Sequence, residues 1–316
     1  MKNKNKILIL NEDFECLKWL WRWKLLSTHG LKLSVYKTKN LNRAYRRLLQ
    51  LEKEKLIQSY WSRDGKYCLW LLSEKGFELL KNNYPEQFLN GYKTENPNHD
   101  FWTTAIHLGD WATEKPKESL IFTEQELRRY EIEHYPGWVP HTRQHRPDGY
   151  WKINLSLKNN ESLVALEVEL SKKEPHRYKN AGEFYHKIIE IYQVLWVVKS
   201  EGDINYIFKH LTDGKKEYGA VHSFTTIDQY MRLGWQSQII FGKNCGKTIS
   251  DCLQPQGVPS LSNMSALGLL DLRKRPMDST THNPILGADL GLNRHIIKSK
   301  DSYTAEYKEP GVSYDT

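Results

Sequence analysis

Apolar residues recur at helical spacing along NEDFECLKWLWRWKLL, residues 11–26, at Phe14, Leu17, Leu20, Trp21 and Leu25. That spacing predicts a helix, and Asn11 with the acids after it suits its start. His29 and Gly30 close this unit, and residues 31–36 form a short second element. A third helix is expected from Asn40, a favoured N-cap residue type. Its Leu41, Tyr45, Leu48 and Leu49 fall on one face, with Arg43, Arg46, Arg47 and Gln50 towards the outer one. Two β-prone runs follow in QSYWSRDGKYCLWLL, with Asp64-Gly65 between them as a hairpin turn. Ser73-Glu74-Lys75-Gly76 leads into a further helix.

Helix, short helix, basic helix, hairpin, helix is the order of a winged helix-turn-helix, expected over residues 1–82. In that arrangement the basic third helix enters the major groove and the hairpin touches phosphate or minor groove. The side chains assigned to DNA are Lys37, Lys39, Arg43, Arg46 and Arg47, with Arg63 and Lys66 at the hairpin turn. The plainer alternative is a solvated basic helix face. Charge favours DNA: 46 Lys and Arg stand against 38 Asp and Glu, a net +8 with a pI of about 9.0.

Residues 83–117 read as a linker or connecting segment, polar at first, then a helix or strand from residue 101. A second domain is expected over 118–240. FTEQELRRYEIEH opens on Thr123 with Glu126 in the capping-box position, so a helix is expected. YPGWVPHTRQHRPDGYWKINLSL reads as two strands and SLVALEVEL as a third. KNAGEFYHKIIEIYQ is amphipathic, with Phe184, Ile188, Ile191 and Tyr192 on one face, and VLWVVK is a buried strand. The order is helix, three strands, helix, strand. Residues 241–316 are polar with little periodicity, and read as a flexible tail or one that orders on a partner.

Glu167 and Glu169 interrupt an otherwise apolar strand. A carboxylate in a core costs several kcal/mol or more unless something pairs with it. Strand side chains alternate, so Glu167, Glu169, Ser171 and Lys173 share one face while Leu166, Val168 and Leu170 supply core. The acids are then free to line a cleft. Asp148 falls at the start of the neighbouring strand, close enough to approach Glu167. Carboxylates that close repel unless a cation stands between them. Hard oxygen ligands favour Mg²⁺ or Mn²⁺, here through Asp148, Glu167 and Glu169. Such an ion activates water and stabilises phosphoryl charge, and a nearby lysine adds to that.

Pro147-Asp148 followed by Glu167 on the next strand resembles the PD-(D/E)xK nuclease superfamily, over roughly residues 118–200. The resemblance implies an α/β restriction-endonuclease-like core, and the chain is then α+β and multi-domain. It implies Mg²⁺-dependent phosphodiester hydrolysis, with Asp148 and Glu167 catalytic and Glu124 as the acid many members carry on the first helix. The motif places lysine two residues after the second acid. This chain has Glu169 there, so the lysine falls to Lys173 or to Lys187 on the next helix. The winged helix together with "TEQELR", "HRPDG", "EVELSKK…RY" and "HDFWTTAIHLG" is similar to the replication-relaxation family of mobile-element proteins. That implies double-stranded DNA as partner and a role in plasmid or integrative-element maintenance.

Other chemistries find little support. Cys16, Cys68, Cys245 and Cys252 show no disulfide framework or CxxC pair, and read as free thiols of a cytoplasmic protein. No apolar run is long enough to span a membrane, and MKNKNKILIL lacks a signal-peptide cleavage site. GKNCGKT at 242–248 lacks the first glycine of a phosphate loop, because Phe241 stands there. His29, His99 and His107 lack zinc-ligand spacing. The departure at Glu169 keeps a non-catalytic DNA-binding accessory in view. The polar tail keeps in view a nuclease or adaptor subunit of a larger assembly.

Overall fold

The computed structural model describes residues 7–38, 40–61, 68–84, 91–109, 120–154 and 161–253. They belong to a single compact unit. The architecture is α+β, with ten α-helices, a three-stranded antiparallel sheet and a six-stranded mixed sheet among the described residues. No helix is long and apolar enough to cross a membrane among the described residues.

Helix α1 (Asn11–Trp23) buries Cys16, Leu17, Leu20 and Trp21 on one face. It stops at Lys24, whose φ of 62° leaves the helical region. Strand β1 (Leu25–Ser27) and helix α2 (Thr28–Leu31) follow, so His29 and Gly30 lie inside a helical turn instead of ending the unit. The Ser27 side chain accepts from Gly30 N and starts that turn, and a π-helical stretch continues it over Lys32–Tyr36. Helix α3 (Leu41–Lys53) is capped by Asn40, whose side chain accepts from the Asn42 and Arg43 amides. Strands β2 (Ile57–Trp61) and β3 (Cys68–Leu72) form the expected antiparallel pair. Its tip, including Asp64-Gly65, lies outside the described residues. Strand β1, unmarked in the sequence, pairs with β3 and completes the sheet in the order β1-β3-β2. Helix α4 (Glu74–Asn83) starts on Ser73.

Helix α5 (Pro97–Leu108) begins inside the stretch expected as linker, with Asn96 as cap and Pro97 in its first turn. Strand β4 (Ile121–Thr123) precedes helix α6 (Glu124–Arg129), which carries the expected Thr123–Glu126 capping box. Residues 135–148 contain no strand, so the three strands expected after α6 are two: β5 (Gly149–Asn154) and β6 (Glu161–Glu169). Prolines at 136, 140 and 147 deny that stretch the amides a ladder needs. Strand β4 takes the place beside β5. Helix α7 (Pro175–Lys187) ends before Ile191 and Tyr192, which open strand β7 (Ile191–Val198). The periodicity of 179–193 thus spans a helix and the strand after it. Helix α8 (Glu201–Thr212), strand β8 (His222–Thr226) and helix α9 (Ile227–Leu233) follow. Residues 241–253, expected to open the polar tail, carry strand β9 (Phe241–Gly242) and helix α10 (Ile249–Leu253).

The large sheet runs β4-β5-β6-β7-β8-β9. Strands β6, β7 and β8 are mutually parallel, and the outer pairings are antiparallel. One hydrophobic cluster joins Leu17, Leu20 and Trp70 of the N-terminal elements to Leu166, Val168 and Trp235 of the large-sheet region. A second cluster, with Ala165, Phe184, Trp196 and Phe224, fills the opposite face under α7 and α8.

Two buried histidines tie stability to pH. Burial pulls the His107 imidazole down to about 4 and that of His222 to about 3. Both are neutral when folded and gain protons when unfolded below pH ~6.5, so their contribution is complete above that pH. It is lost as pH falls from ~6.5 towards the folded values, at about 1.4 kcal/mol per unit for each histidine. The urea midpoint is expected to drop clearly between pH 7 and pH 4.5. Equal midpoints would mean that both side chains are charged or solvated in the fold.

Candidate functional site

The acid cluster forms where β5 begins and β6 ends. Register places Gly149 opposite Leu166, so Asp148 sits beside Glu167. Leu166 and Val168 face the first hydrophobic cluster, as alternation requires, and the glutamates face away. They do not line an open cleft: Glu167 and Glu169 are 6% and 4% exposed. Partners compensate their burial. Glu167 Oε1 accepts from Tyr185 OH and, at 2.6 Å, meets His145 Nε2. Glu169 Oε2 pairs with Lys173 Nζ at 2.8 Å.

Asp148 is held on every side. Its amide donates to Leu166 O at 2.9 Å, and its carbonyl accepts from the Glu124 amide at 3.2 Å. That carbonyl also meets His107 Nε2 at 3.0 Å, and because a carbonyl only accepts, His107 Nε2 donates. The Asp148 carboxylate accepts the Val168 amide at 2.6 Å through Oδ2. It therefore reaches across the strand pair and does not close its own Pro-Asp-Gly turn. Gly149 leaves room for His107 against the Asp148 carbonyl: a Cβ there would fall 2.5 Å from His107 Nε2.

His99, on the first turn of α5, completes the centre and was not assigned to it from sequence. Its Nε2 lies 3.0 Å from Val168 O and 3.4 Å from Asp148 Oδ2. Burial lowers the affinity of this imidazole for a proton, but Asp148, Asp100 and Glu124 outweigh it and push its pKa up to about 11. Burial alone would raise Asp148, yet His99 and the Val168 amide hold it below the usual carboxylate range. Glu169 is raised, by burial first, against the pull of Lys173. Burial works against the Lys173 ammonium, but Glu167 and Glu169 keep its pKa above the ordinary lysine value.

The two lysine candidates separate. Lys173 returns to Glu169 after the strand ends, whereas Lys187 closes α7 as an exposed side chain and is not gathered with the acids. Glu124 is buried nearby, but its carboxylate is taken. Lys24 Nζ holds Oε2 at 2.6 Å, and Arg128 holds Oε1. Lys24 also pairs with Asp100 at 2.9 Å.

The donor chemistry of Asp148, Glu167 and Glu169, hard oxygens on adjacent strands, suits Mg²⁺ or Mn²⁺. As arranged, no group of three His, Cys, Asp or Glu side chains among the described residues is open to hold a metal ion. Protein donors occupy the acids instead.

The basic helix presents its own face. Arg43, Arg46, Gln50 and Lys53 are exposed at helical spacing along α3, and Lys37 is exposed before it. Arg47 differs. Its guanidinium binds buried Asp13, with Nε to Oδ1 at 2.8 Å, and fastens α3 to α1. A cleft of about 370 Å³ adjoins this face, lined among others by Tyr36, Asn42, Arg43 and Arg46. Lys39, Arg63 and Lys66 lie outside the described residues. No family model, curated protein or solved structure matches the chain.

Proposed function

We propose that the chain is a DNA-binding protein of a mobile element, or of a defence or transposition system, with a metal-dependent endonuclease-like centre. A winged helix positions duplex DNA, and a restriction-endonuclease-like core hydrolyses a phosphodiester. The observation that carries this reading is the gathering of Asp148, Glu167, Glu169 and Lys173 at one end of the large sheet. The β1-β3-β2 sheet beside α3 supports the winged helix.

Asp148 and Glu167, helped by Glu169, would hold Mg²⁺ or Mn²⁺. Bound there, the ion supplies an activated water and neutralises charge on the phosphoryl oxygen. Lys173, whose side chain is 35% exposed and kept charged by its acids, faces the incoming phosphate as a fixed positive charge. The test is nicking of supercoiled plasmid with and without divalent metal, in wild type and in Lys173→Ala. Metal-dependent nicking that Lys173→Ala weakens supports the reading.

A second reading, a non-catalytic DNA-binding accessory, is favoured by one observation: each acid already has a protein partner. Both readings require DNA on α3. Arg43→Ala and Arg46→Ala are each expected to weaken duplex binding and to lower the salt slope by about 1. Arg47→Ala acts instead on stability, because buried Asp13 loses its cationic partner. Binding unchanged by the first two and insensitive to salt would remove α3 from the interface.

A further inference from the structure

We infer that His99 is a positioning residue of the acid centre that occupies the place a divalent cation takes, so that His99 and the cation exclude one another. The inference rests on the metal-dependent reading above. Two oxygens from adjacent strands converge on one nitrogen. His99 Nε2 is 3.0 Å from the Val168 carbonyl and 3.4 Å from Asp148 Oδ2. A backbone carbonyl beside a carboxylate is the donor pair that hard divalent cations select. Here a ring N–H fills it.

The surroundings hold the ring there and still leave it a way out. Asn96 caps α5 and accepts the His99 amide at 3.2 Å, fixing the backbone. Asp100 Oδ1 stands 3.7 Å from the other ring nitrogen and is itself anchored by Lys24 at 2.9 Å and by Thr94. The His99 side chain keeps 21% exposure, against 11% for Asp148 and 5% for Glu169. It therefore leaves by side-chain rotation, with α5 and its Lys24 anchor unmoved. Val168 N still holds Asp148 when the ring has gone, so the oxygen pair persists.

The experiment is Mn²⁺ binding to the full chain without DNA, read by electron paramagnetic resonance of the free ion. Wild type, His99→Ala, His99→Gln and the double variant His99→Ala with Asp148→Asn are compared. His99→Ala is expected to bind Mn²⁺ at least about tenfold more tightly than wild type, the size that orienting residues around metal sites typically carry. The gain disappears in the double variant. His99→Gln, which keeps an N–H donor of similar reach, shows a smaller gain and serves as the comparison if His99→Ala misfolds. Equal or weaker binding in both single variants, or no binding in any protein, overturns the inference. Plasmid nicking by wild type separates the two claims. Tighter Mn²⁺ binding in His99→Ala without any nicking sinks the hydrolytic reading alone. Nicking with unchanged Mn²⁺ affinity sinks this inference alone.

Discussion

A Lys24→Met protein is expected to lose about 3–5 kcal/mol of stability, the cost of leaving buried charge without its partner. Lys24 is 8% exposed, and its ammonium sits between Asp100 and Glu124, themselves 4% and 8% exposed. Burial opposes its charge, but Glu124 and Asp100 together raise its pKa. Methionine fills much the same volume, so the loss reads charge and not a cavity. Arg128 continues to hold Glu124, at 2.6 Å from Nη2, so Asp100 suffers most. A triple variant that adds Asp100→Asn and Glu124→Gln is expected to recover part of the loss, because neutral amides tolerate burial better. Urea unfolding of the three proteins checks this. A Lys24→Met midpoint equal to wild type would mean that solvent reaches the acids.

Asp148→Asn is expected to abolish metal-dependent nicking, by about 10²–10³-fold or more, while DNA binding stays intact. Asparagine keeps an oxygen for the Val168 amide, and the backbone bonds to Leu166, Glu124 and His107 do not involve the side chain. The centre loses its charge and keeps its shape. The N-terminal elements, α1–α4 with β1–β3, are untouched. Gel-shift and nicking assays on the same preparation separate the two properties. Parallel loss of both would place Asp148 in the fold alone.

Much of this centre is legible in the sequence, because it rests on local period. Alternation along ALEVEL puts Glu167 and Glu169 opposite Leu166 and Val168, and the fold keeps that division. Pro147-Asp148-Gly149 marks the start of the facing strand, and pairing does the rest. The missing parts are contacts between distant segments. His99, Asp100 and Lys24 reach the cluster from α5 and from the end of α1, and no spacing rule links them to Asp148. One signal was present. His99 and Asp100 are adjacent titratable residues opening a helix that is otherwise mostly apolar, FWTTAIHL. Strand β1 is not legible for the opposite reason: three residues between two helices carry too little pattern. The stretch 135–148, expected to hold a strand, is irregular, because Pro136, Pro140 and Pro147 deny it ladder amides.

The wild-type chain with supercoiled plasmid tests the hydrolytic centre most directly. In Mg²⁺ or Mn²⁺ the plasmid is expected to convert to nicked or linear product, and in EDTA to remain supercoiled. A plasmid left supercoiled in every metal, while a gel shift on the same sample shows bound DNA, would contradict the hydrolytic centre. Asp148, Glu167, Glu169 and Lys173 would then be the closed polar core of a DNA-binding accessory.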